Sequence, residues 1–581
     1  MNLSISLRTT NHACPNESET AREPRTTTAL LLIVLFFIVA YIIQLGVMPL
    51  ISPDEPRYAE IPREMIISGN WIVPQFNGID YFQKPVLGYW LTAVSELLFG
   101  YNNFAVRFPS ALCTGLTALL IYFFARRFFG NKTIALLSAL IFLSFGMVFG
   151  IGSYAVLDSQ TSFFLAGSFI AFYFAYQSAL TLIRLVFLVV CGFSAGLCFM
   201  VKGFLAFAVL AAAVAPFLIW EKQWKKLFTM PWIPLLSAIT ICIPWGIKIW
   251  YKAPDFWPYF IIVEHYNRFF NAGSFGTDLH PEPFWFFIPI VIAGMLPWTI
   301  HLPSAILGLK NKPVLNDTLI RYSLSWLIFP FFFFSVSSGK LATYVLPCFP
   351  PLAVLIAYGL HKCLIEKEKV EVFNITNLLL IYILIAGIIV ATGYVTISRF
   401  IQIPHLWNLT QLGYALGIFA FMITMLFFSL RTTNPTKKIL LFIFAPLLAF
   451  GFKSSIIPKN ALSSKEQGSF VLKQSKYITP DTIVIAYPNM MHAVSWYLKR
   501  NDIIIYGGDG GELEYWIKQL KYRDKYIAAK QELQKFIDEN KNKKDGISFF
   551  MRGDFREDIP ASGIEDYQDS MMFSKFNWSG Q

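Results

Sequence analysis

The sequence predicts an α-helical polytopic membrane protein with about thirteen spans and a small α/β domain at its C-terminal end. Three observations predict this class. The 581 residues are 55% hydrophobic and only 14% charged, with a mean hydropathy of +0.52, outside the range of soluble globular domains. The charged residues gather in short connections between apolar runs. After Lys453 the apolar runs stop, and short β-branched segments alternate with polar helical ones.

A formal net charge of +12 raises nucleic acid as a partner. The Lys and Arg residues, however, lie mostly between apolar runs, as the positive-inside bias of membrane proteins requires. That distribution argues against nucleic-acid binding. Six of the seven cysteines lie in or beside apolar segments and the seventh is Cys14, so no disulfide framework is implied.

Residues 1–28 read as a polar cytoplasmic tail. The apolar run from Ala29 lacks a small-residue cleavage site and reads as a retained signal anchor. Further runs long enough to cross about 30 Å of hydrocarbon begin at Val106, Thr133, Gln160, Arg184, Gly203, Trp232, Phe284, Leu319, Leu341, Thr376, Leu412 and Ile439. The segment 85–100 is too short and too polar to cross, carrying Tyr89, Trp90, Ser95 and Glu96, and reads as a helix lying in the interface. The charges test this choice. With the N-terminus inside and 85–100 not crossing, Arg126, Arg127, Lys132, Lys222, Lys225, Lys226, Lys310, Lys362 and Arg431 all fall on the cytoplasmic side, and one more crossing would reverse every one of them. The same parity puts residues 49–105 in a first periplasmic loop with juxtamembrane helices, inside a transmembrane domain of residues 29–453. It places residues 454–581 in the periplasm. There, 482–487, 502–506 and 546–550 read as strands and 490–500 and 531–542 as helices. The run GGDGG at 507–511 lacks the Lys and Ser/Thr of a phosphate loop and reads as a turn.

The unusual polar residues then share one face of the membrane. Asp54 and Glu55 precede Pro56, which suits a helix N-terminus, but Arg57, Arg63 and Lys84 in the same loop point to a site. Asp158 lies between two apolar runs, where an acid is costly and is a functional suspect by default. Lys202 stands on the far side against the charge bias, with snorkelling as its plain alternative. Glu264, His265 and Arg268 form a third group, in which Glu264 and Arg268 read as a pair one helical turn apart. Lys340 and Tyr344 stand at a span boundary, where both are also common anchors. Cations and acids converging on one interface suit a phosphate-bearing lipid, because Lys and Arg bind phosphate oxygens through charge-assisted hydrogen bonds and stabilise charge building on a departing phosphate.

The segments DEPRYAEIPREM (54–65), SGNWIVP (68–74), YFQKP (81–85), GYW (88–90), YAVLD (154–158), KGFLA (202–206), PDFW (254–257), EHYNRF (264–269) and GKLATYVL (339–346), with DIIIY (502–506) and GEL (511–513) in the tail, occur in this order. Together they resemble the bacterial lipid A 4-amino-4-deoxy-L-arabinose transferases, integral-membrane glycosyltransferases of the GT-C type related to protein O-mannosyltransferases. The resemblance covers nearly the whole chain. It implies thirteen spans, juxtamembrane helices in the first loop and a periplasmic C-terminal α/β domain. It also implies an inverting transfer of aminoarabinose from undecaprenyl phosphate to a lipid A phosphate in the bacterial inner membrane, with resistance to polymyxin and other cationic peptides as its consequence. By the same resemblance Asp54 is the principal catalytic acid position and Asp158 the second carboxylate. Lys84, Arg268 and Tyr344 are carrier-phosphate ligands, and Glu55, Arg57, Lys202 and Lys340 are supporting positions. The residues themselves require no cofactor. The resemblance brings in a divalent metal, such as zinc, at the position of Gln83 with His265, but relatives usually carry Glu where this chain has Gln83, and an amide is the poorer cation ligand. Two alternatives remain at this level: a related carrier-dependent transferase acting on another sugar, lipopolysaccharide or protein acceptor, and a lipid-linked sugar flippase. A flippase would line a path through the bilayer with its charges, whereas here they gather at one face.

Overall fold

The computed structural model describes residues 24–267, 282–310, 315–401, 408–457, 462, 465–508, 513–517, 519–540, 545–559 and 563–576. Every expected apolar run within them is helical. Among the described residues seven helices are long and apolar enough to cross a membrane, from Asn103–Phe129 to Leu409–Arg431, and two bent pairs, Lys132–Ser144 with Gly146–Gly152 and Phe287–Gly294 with Trp298–Leu309, bring the number to nine if each pair is one span. The remaining expected runs form shorter or less apolar helices, Thr26–Ile42, Asp158–Gln177, Leu205–Trp220 and Pro435–Phe444.

Local sequence sets the ends of these helices. Asn102 caps Asn103–Phe129 by accepting from the Ala105 N–H, Gly130 ends it in the left-handed region (φ +68°), and Asn131 at once caps Lys132–Ser144 through the Ile134 N–H. A helical hairpin results. Between helices, close approach replaces the hydrophobic effect, which is absent in lipid. A Cβ on Gly308 would lie 1.8 Å from the Gly359 carbonyl oxygen, so the backbones of Leu302–Leu309 and Phe349–Leu360 touch where only glycine permits it.

The first loop carries the helix Asp54–Ser68, which ends at Gly69 (φ +68°), a two-residue hairpin of β1 (Gln75–Phe76) and β2 (Ile79–Asp80), and the helix Leu87–Phe99. Thirteen residues give Leu87–Phe99 a length of about 20 Å, too short to cross. It buries Tyr89, Thr92, Ala93 and Glu96 and exposes Val94, Leu97, Leu98 and Phe99, the two-faced pattern of a helix in an interface.

The tail forms a six-stranded sheet of order β5-β4-β3-β6-β8-β7, comprising β3 (Ile483–Ala486), β4 (Ile504–Tyr506), β5 (Tyr526–Ile527), β6 (Ile547–Arg552), β7 (Ile564–Gln568) and β8 (Met571–Phe576). The parallel half and the helices Pro488–Leu498 and Lys530–Asn540 follow the sequence expectation to within two residues or so. The antiparallel hairpin β7–β8 and the two-residue β5 are additions to it. β7, an edge strand of alternating exposure, reads IEDYQ and carries little apolar signal. Gly507 and Gly508 both adopt positive φ, in keeping with a turn, and 509–512 lie outside the described residues.

The sheet domain rests on the first loop. Asn77, fully buried, donates from Nδ2 to the Ile503 carbonyl (2.7 Å) and accepts from the Ile503 N–H (3.0 Å). Phe76 stacks on His492, Phe82 meets Trp516 edge-on, and Lys521 pairs with Asp80 at 3.0 Å.

Candidate active site

The acidic pair at 54–55 opens the helix Asp54–Ser68, as the Pro-flanked sequence predicts. The two carboxylates face different surroundings. Glu55 is fully buried, whereas the Asp54 side chain is 42% exposed and meets Arg57 Nη2 at 2.5 Å. Arg57 lies over the Tyr58 ring, which stacks with Tyr89. Tyr154, in the turn before Asp158, has its hydroxyl pushed up first by burial and then by the Glu55 and Asp54 carboxylates. The Tyr154 hydroxyl donates to the Ile51 carbonyl (3.4 Å) and the Ala155 N–H to Glu55 Oε1 (2.9 Å), which sets the turn 153–157 against the start of the Asp54 helix.

Asp158 is the first residue of the helix Asp158–Gln177 and Lys202 the last of Thr181–Lys202. Packing of these two helices brings Lys202 Nζ within 2.5 Å of Asp158 Oδ1, each side chain 12% exposed. The same ammonium lies 4.9 Å from the centre of the Tyr344 ring. Lys202 is thus an ion-pair and cation–π partner, where the sequence left snorkelling equally open.

The next contacts follow along the chain. Gly203, at φ +82°, has no room for a side chain, since a Cβ would lie 2.7 Å from His265 Nε2. His265 accepts from the Phe204 N–H at Nε2 (3.3 Å) and donates from Nδ1 to the Phe260 carbonyl (2.8 Å). Its neighbour Glu264 receives Lys84 Nζ at 3.0 Å, and Lys84 also donates to the Gln83 carbonyl at 2.8 Å. Asp158 and Tyr344 therefore both meet Lys202. Lys84 joins them through Glu264, His265 and the Gly203 turn.

Glu264 pairs with Lys84, 180 positions away, a partner the sequence did not read. Its expected partner Arg268 lies outside the described residues. Lys340 is buried and donates to the Glu282 carbonyl at 2.7 Å, and burial lowers its affinity for a proton. The residues also do not fit a divalent metal. Both His265 ring nitrogens hold hydrogen bonds, and the Gln83 amide oxygen accepts from Tyr81 Oη at 2.6 Å. Among the described residues no group of three or more His, Cys, Asp or Glu converges as ligands.

Sequence reasoning missed Arg107, whose guanidinium meets Glu55 at 2.6 Å. Its signal was its place just inside the apolar run from Val106, where a buried charge needs a partner.

A family model described as dolichyl-phosphate-mannose-protein mannosyltransferase matches residues 26–260, and one described as the C-terminal domain of the arabinosyl transferase ArnT matches 462–574. Crystal structures of ArnT from Cupriavidus metallidurans superpose with TM-scores of 0.79, bound to undecaprenyl phosphate, and 0.76 in the apo state. At 20% identity, covering 95% of this chain and 98% of that one, they share its fold. The chain is 36% identical over 498 residues to an undecaprenyl phosphate-alpha-4-amino-4-deoxy-L-arabinose arabinosyl transferase of Shewanella sediminis, covering 85% of this chain and 88% of the relative. The chain belongs to this arabinosyl transferase family. Relatives of the same name from Erwinia tasmaniensis (36% over 512 residues) and Yersinia pestis (35% over 506) each cover 86% of this chain, and 89% and 88% of their own length. As a member of the arabinosyl transferase family, the chain is a multi-pass, lipid-carrier-dependent glycosyltransferase.

Proposed function

We propose that this chain moves 4-amino-4-deoxy-L-arabinose from undecaprenyl phosphate to a phosphate of lipid A at the periplasmic face of a bacterial inner membrane. The reading rests on one observation above all: the pairs Asp158–Lys202 and Lys84–Glu264 are linked through the contact of the Gly203–Phe204 turn with His265. An undecaprenyl tail gains about 0.8 kcal/mol per buried methylene in the bilayer, so the site has to lie where both lipids already are. Thirteen crossings, the division into 29–453 and 454–581, and a periplasmic tail complete the reading.

In the transfer, an oxygen of the lipid A phosphate attacks the anomeric carbon, the bond from that carbon to the carrier phosphate breaks, and undecaprenyl phosphate leaves with inversion. The leaving group is already a phosphate and needs cations more than a strong acid. Lys84 and Arg268 supply them, and the Tyr344 hydroxyl adds a hydrogen bond. An incoming phosphate competes with Glu264 for Lys84, so donor binding exchanges one ion pair for another. Asp54, the exposed member of the acidic pair, orients the acceptor or takes its residual proton. Asp158, tethered by Lys202, stabilises positive charge on the sugar ring or its amino group. The product masks negative charge on lipid A, which weakens the approach of cationic peptides such as polymyxin.

Purified protein incubated with the aminoarabinose-bearing carrier and lipid A will yield a lipid A heavier by one aminopentose in mass spectrometry. In Asp54→Asn and Lys84→Ala the rate will fall at least about 100-fold while both proteins still insert and purify as the parent does. Near-parental turnover in either variant removes its assigned role, and no product from the parent removes the reading.

A further inference from the structure

We propose that Glu55 and Arg107 form a saturated clamp that sets the placement of the Asp54 and Asp158 carboxylates relative to each other, Glu55 and Arg107 acting as positioning residues. The proposal rests on the roles given above to Asp54 and Asp158.

Arg107 has five N–H donors, and all five are engaged inside the protein. Nε meets Glu55 Oε1 and Nη2 meets Glu55 Oε2, both at 2.6 Å. Nη1 donates to the carbonyls of Leu45 (3.0 Å) and Met48 (2.7 Å), and Nη2 to that of Pro49 (2.8 Å). Glu55 is filled in the same way. Beyond the guanidinium, Oε1 accepts from the Ala155 N–H at 2.9 Å and Oε2 from the Ile51 N–H at 2.8 Å, so the four acceptor sites of a carboxylate are taken. The side chains are 0% and 4% exposed. Neither residue has capacity left for a phosphate or a sugar, although both carry the charges that would suit one.

What the clamp joins gives it its role. Leu45, Met48, Pro49 and Ile51 lie on the connection from the first helix into Asp54–Ser68, whose first residue Asp54 adjoins Glu55. Ala155 lies in the turn that enters the Asp158 helix. That turn is pinned from two further sides, by Ser110 Oγ donating to the Val156 carbonyl (2.9 Å) and by Lys453 Nζ donating to Ser153 Oγ (2.5 Å). One carboxylate thus spans the two segments that present the reacting acids, and one guanidinium locks it to the helix Asn103–Phe129. A planar, bidentate pair holds geometry in a way a point charge does not. In a transfer between two bound lipids, an error of about 1 Å costs about 100-fold in rate.

The test uses the full-length protein in detergent with defined donor and acceptor lipids. Arg107→Lys keeps the charge and loses the fork, while Glu55→Gln with Arg107→Met removes both charges and leaves no orphaned ion. In both variants kcat falls about 100-fold while KM for the donor lipid stays within about twofold. Glu55→Asp, which keeps the charge and shortens the reach, gives an intermediate loss. The proposal is overturned if the folded variants keep kcat within about threefold, if KM rises with kcat unchanged, or if neither Arg107→Lys nor the double variant folds, which assigns the pair to fold stability. Asp54→Asn, run in parallel, separates the two claims: full activity there sinks the reading of Asp54, whatever the clamp variants do.

Discussion

Lys202 and Asp158 separate stability from chemistry at the scale of single residues. Their side chains are nearly buried and 2.5 Å apart, so Lys202→Met strands a carboxylate in a dry site, at a cost of about 3 kcal/mol. Adding Asp158→Asn removes the stranded charge. Thermal unfolding in detergent will show a lowered midpoint for Lys202→Met and recovery in the double variant, while lipid transfer stays lost in both. Transfer that recovers along with stability removes Asp158 from the chemistry. Each of these residues was visible in the sequence because it breaks a rule, Asp158 as an acid between apolar runs and Lys202 as a cation on the wrong side of the charge bias. Their pairing was not visible, since it joins positions 44 apart through the packing of two helices. The Lys84 partner of Glu264 went unread for the related reason that a helical neighbour is readable from spacing and a partner 180 positions away is not. Arg107 went unnoticed because basic residues are common at span ends, and only the structure separates a snorkelling Arg from one whose five donors are all engaged.

At the scale of elements, the helices Asp54–Ser68 and Leu87–Phe99 form a buried ionisable seam against the tail. Arg63 grips Glu60 with two hydrogen bonds (2.7 and 2.6 Å). Glu64 accepts the N–H groups of Asn77 (2.6 Å) and Gly78 (2.9 Å), and the Glu96 carboxylate is buried with no hydrogen-bond partner among the described residues on either oxygen. Facing them are Tyr101 from the loop, Lys499, whose Nζ lies 3.2 Å from the centre of the Trp496 ring, and Lys525, which donates to the Asn77 carbonyl. Burial, then the Glu60 charge, pushes Glu64 up to about 8 from an ordinary 4.5, and burial raises Glu96 well above its ordinary value. The folded state therefore holds more protons than the unfolded chain above pH 4.5, and the seam loses stability as pH rises towards 8. Lys499, pushed down to about 8 by burial, acts oppositely only above that pH, where the folded state holds fewer protons. The unfolding midpoint will be lower at pH 8 than at pH 5, and Glu96→Gln, a neutral stand-in for the protonated acid, will shrink that difference. An unchanged difference clears Glu96 as its source. The two helices were legible from their Pro, Gly and polar punctuation. The burial of six of their charges was not, because charged side chains ordinarily signal a solvated face.

On the scale of the whole molecule, the sequence expects a sheet domain after the last apolar run, but composition cannot say whether such a domain hangs free or is docked. The contacts decide for docking, and Asn77 is its centre. Its amide closes two hydrogen bonds with the backbone of Ile503 at the entrance to β4, its carbonyl receives Lys525, and the adjacent Phe76 stacks on His492. The same loop carries Asp54 and Lys84 on either side of Asn77, so the sheet domain braces the segment that supplies half the site. Asn77→Ala leaves the Ile503 N–H and carbonyl buried without their partner, each costing about 1–3 kcal/mol, a penalty that falls on the docking and not on the sheet. Limited proteolysis will then release a fragment near residues 462–574 faster than from the parent, and transfer will fall with it, while the helical bundle keeps its unfolding midpoint. Faster release with undiminished transfer means that the tail serves something other than the loop, and unchanged release means that the apolar contacts of Phe76 and Phe82 carry the docking without Asn77.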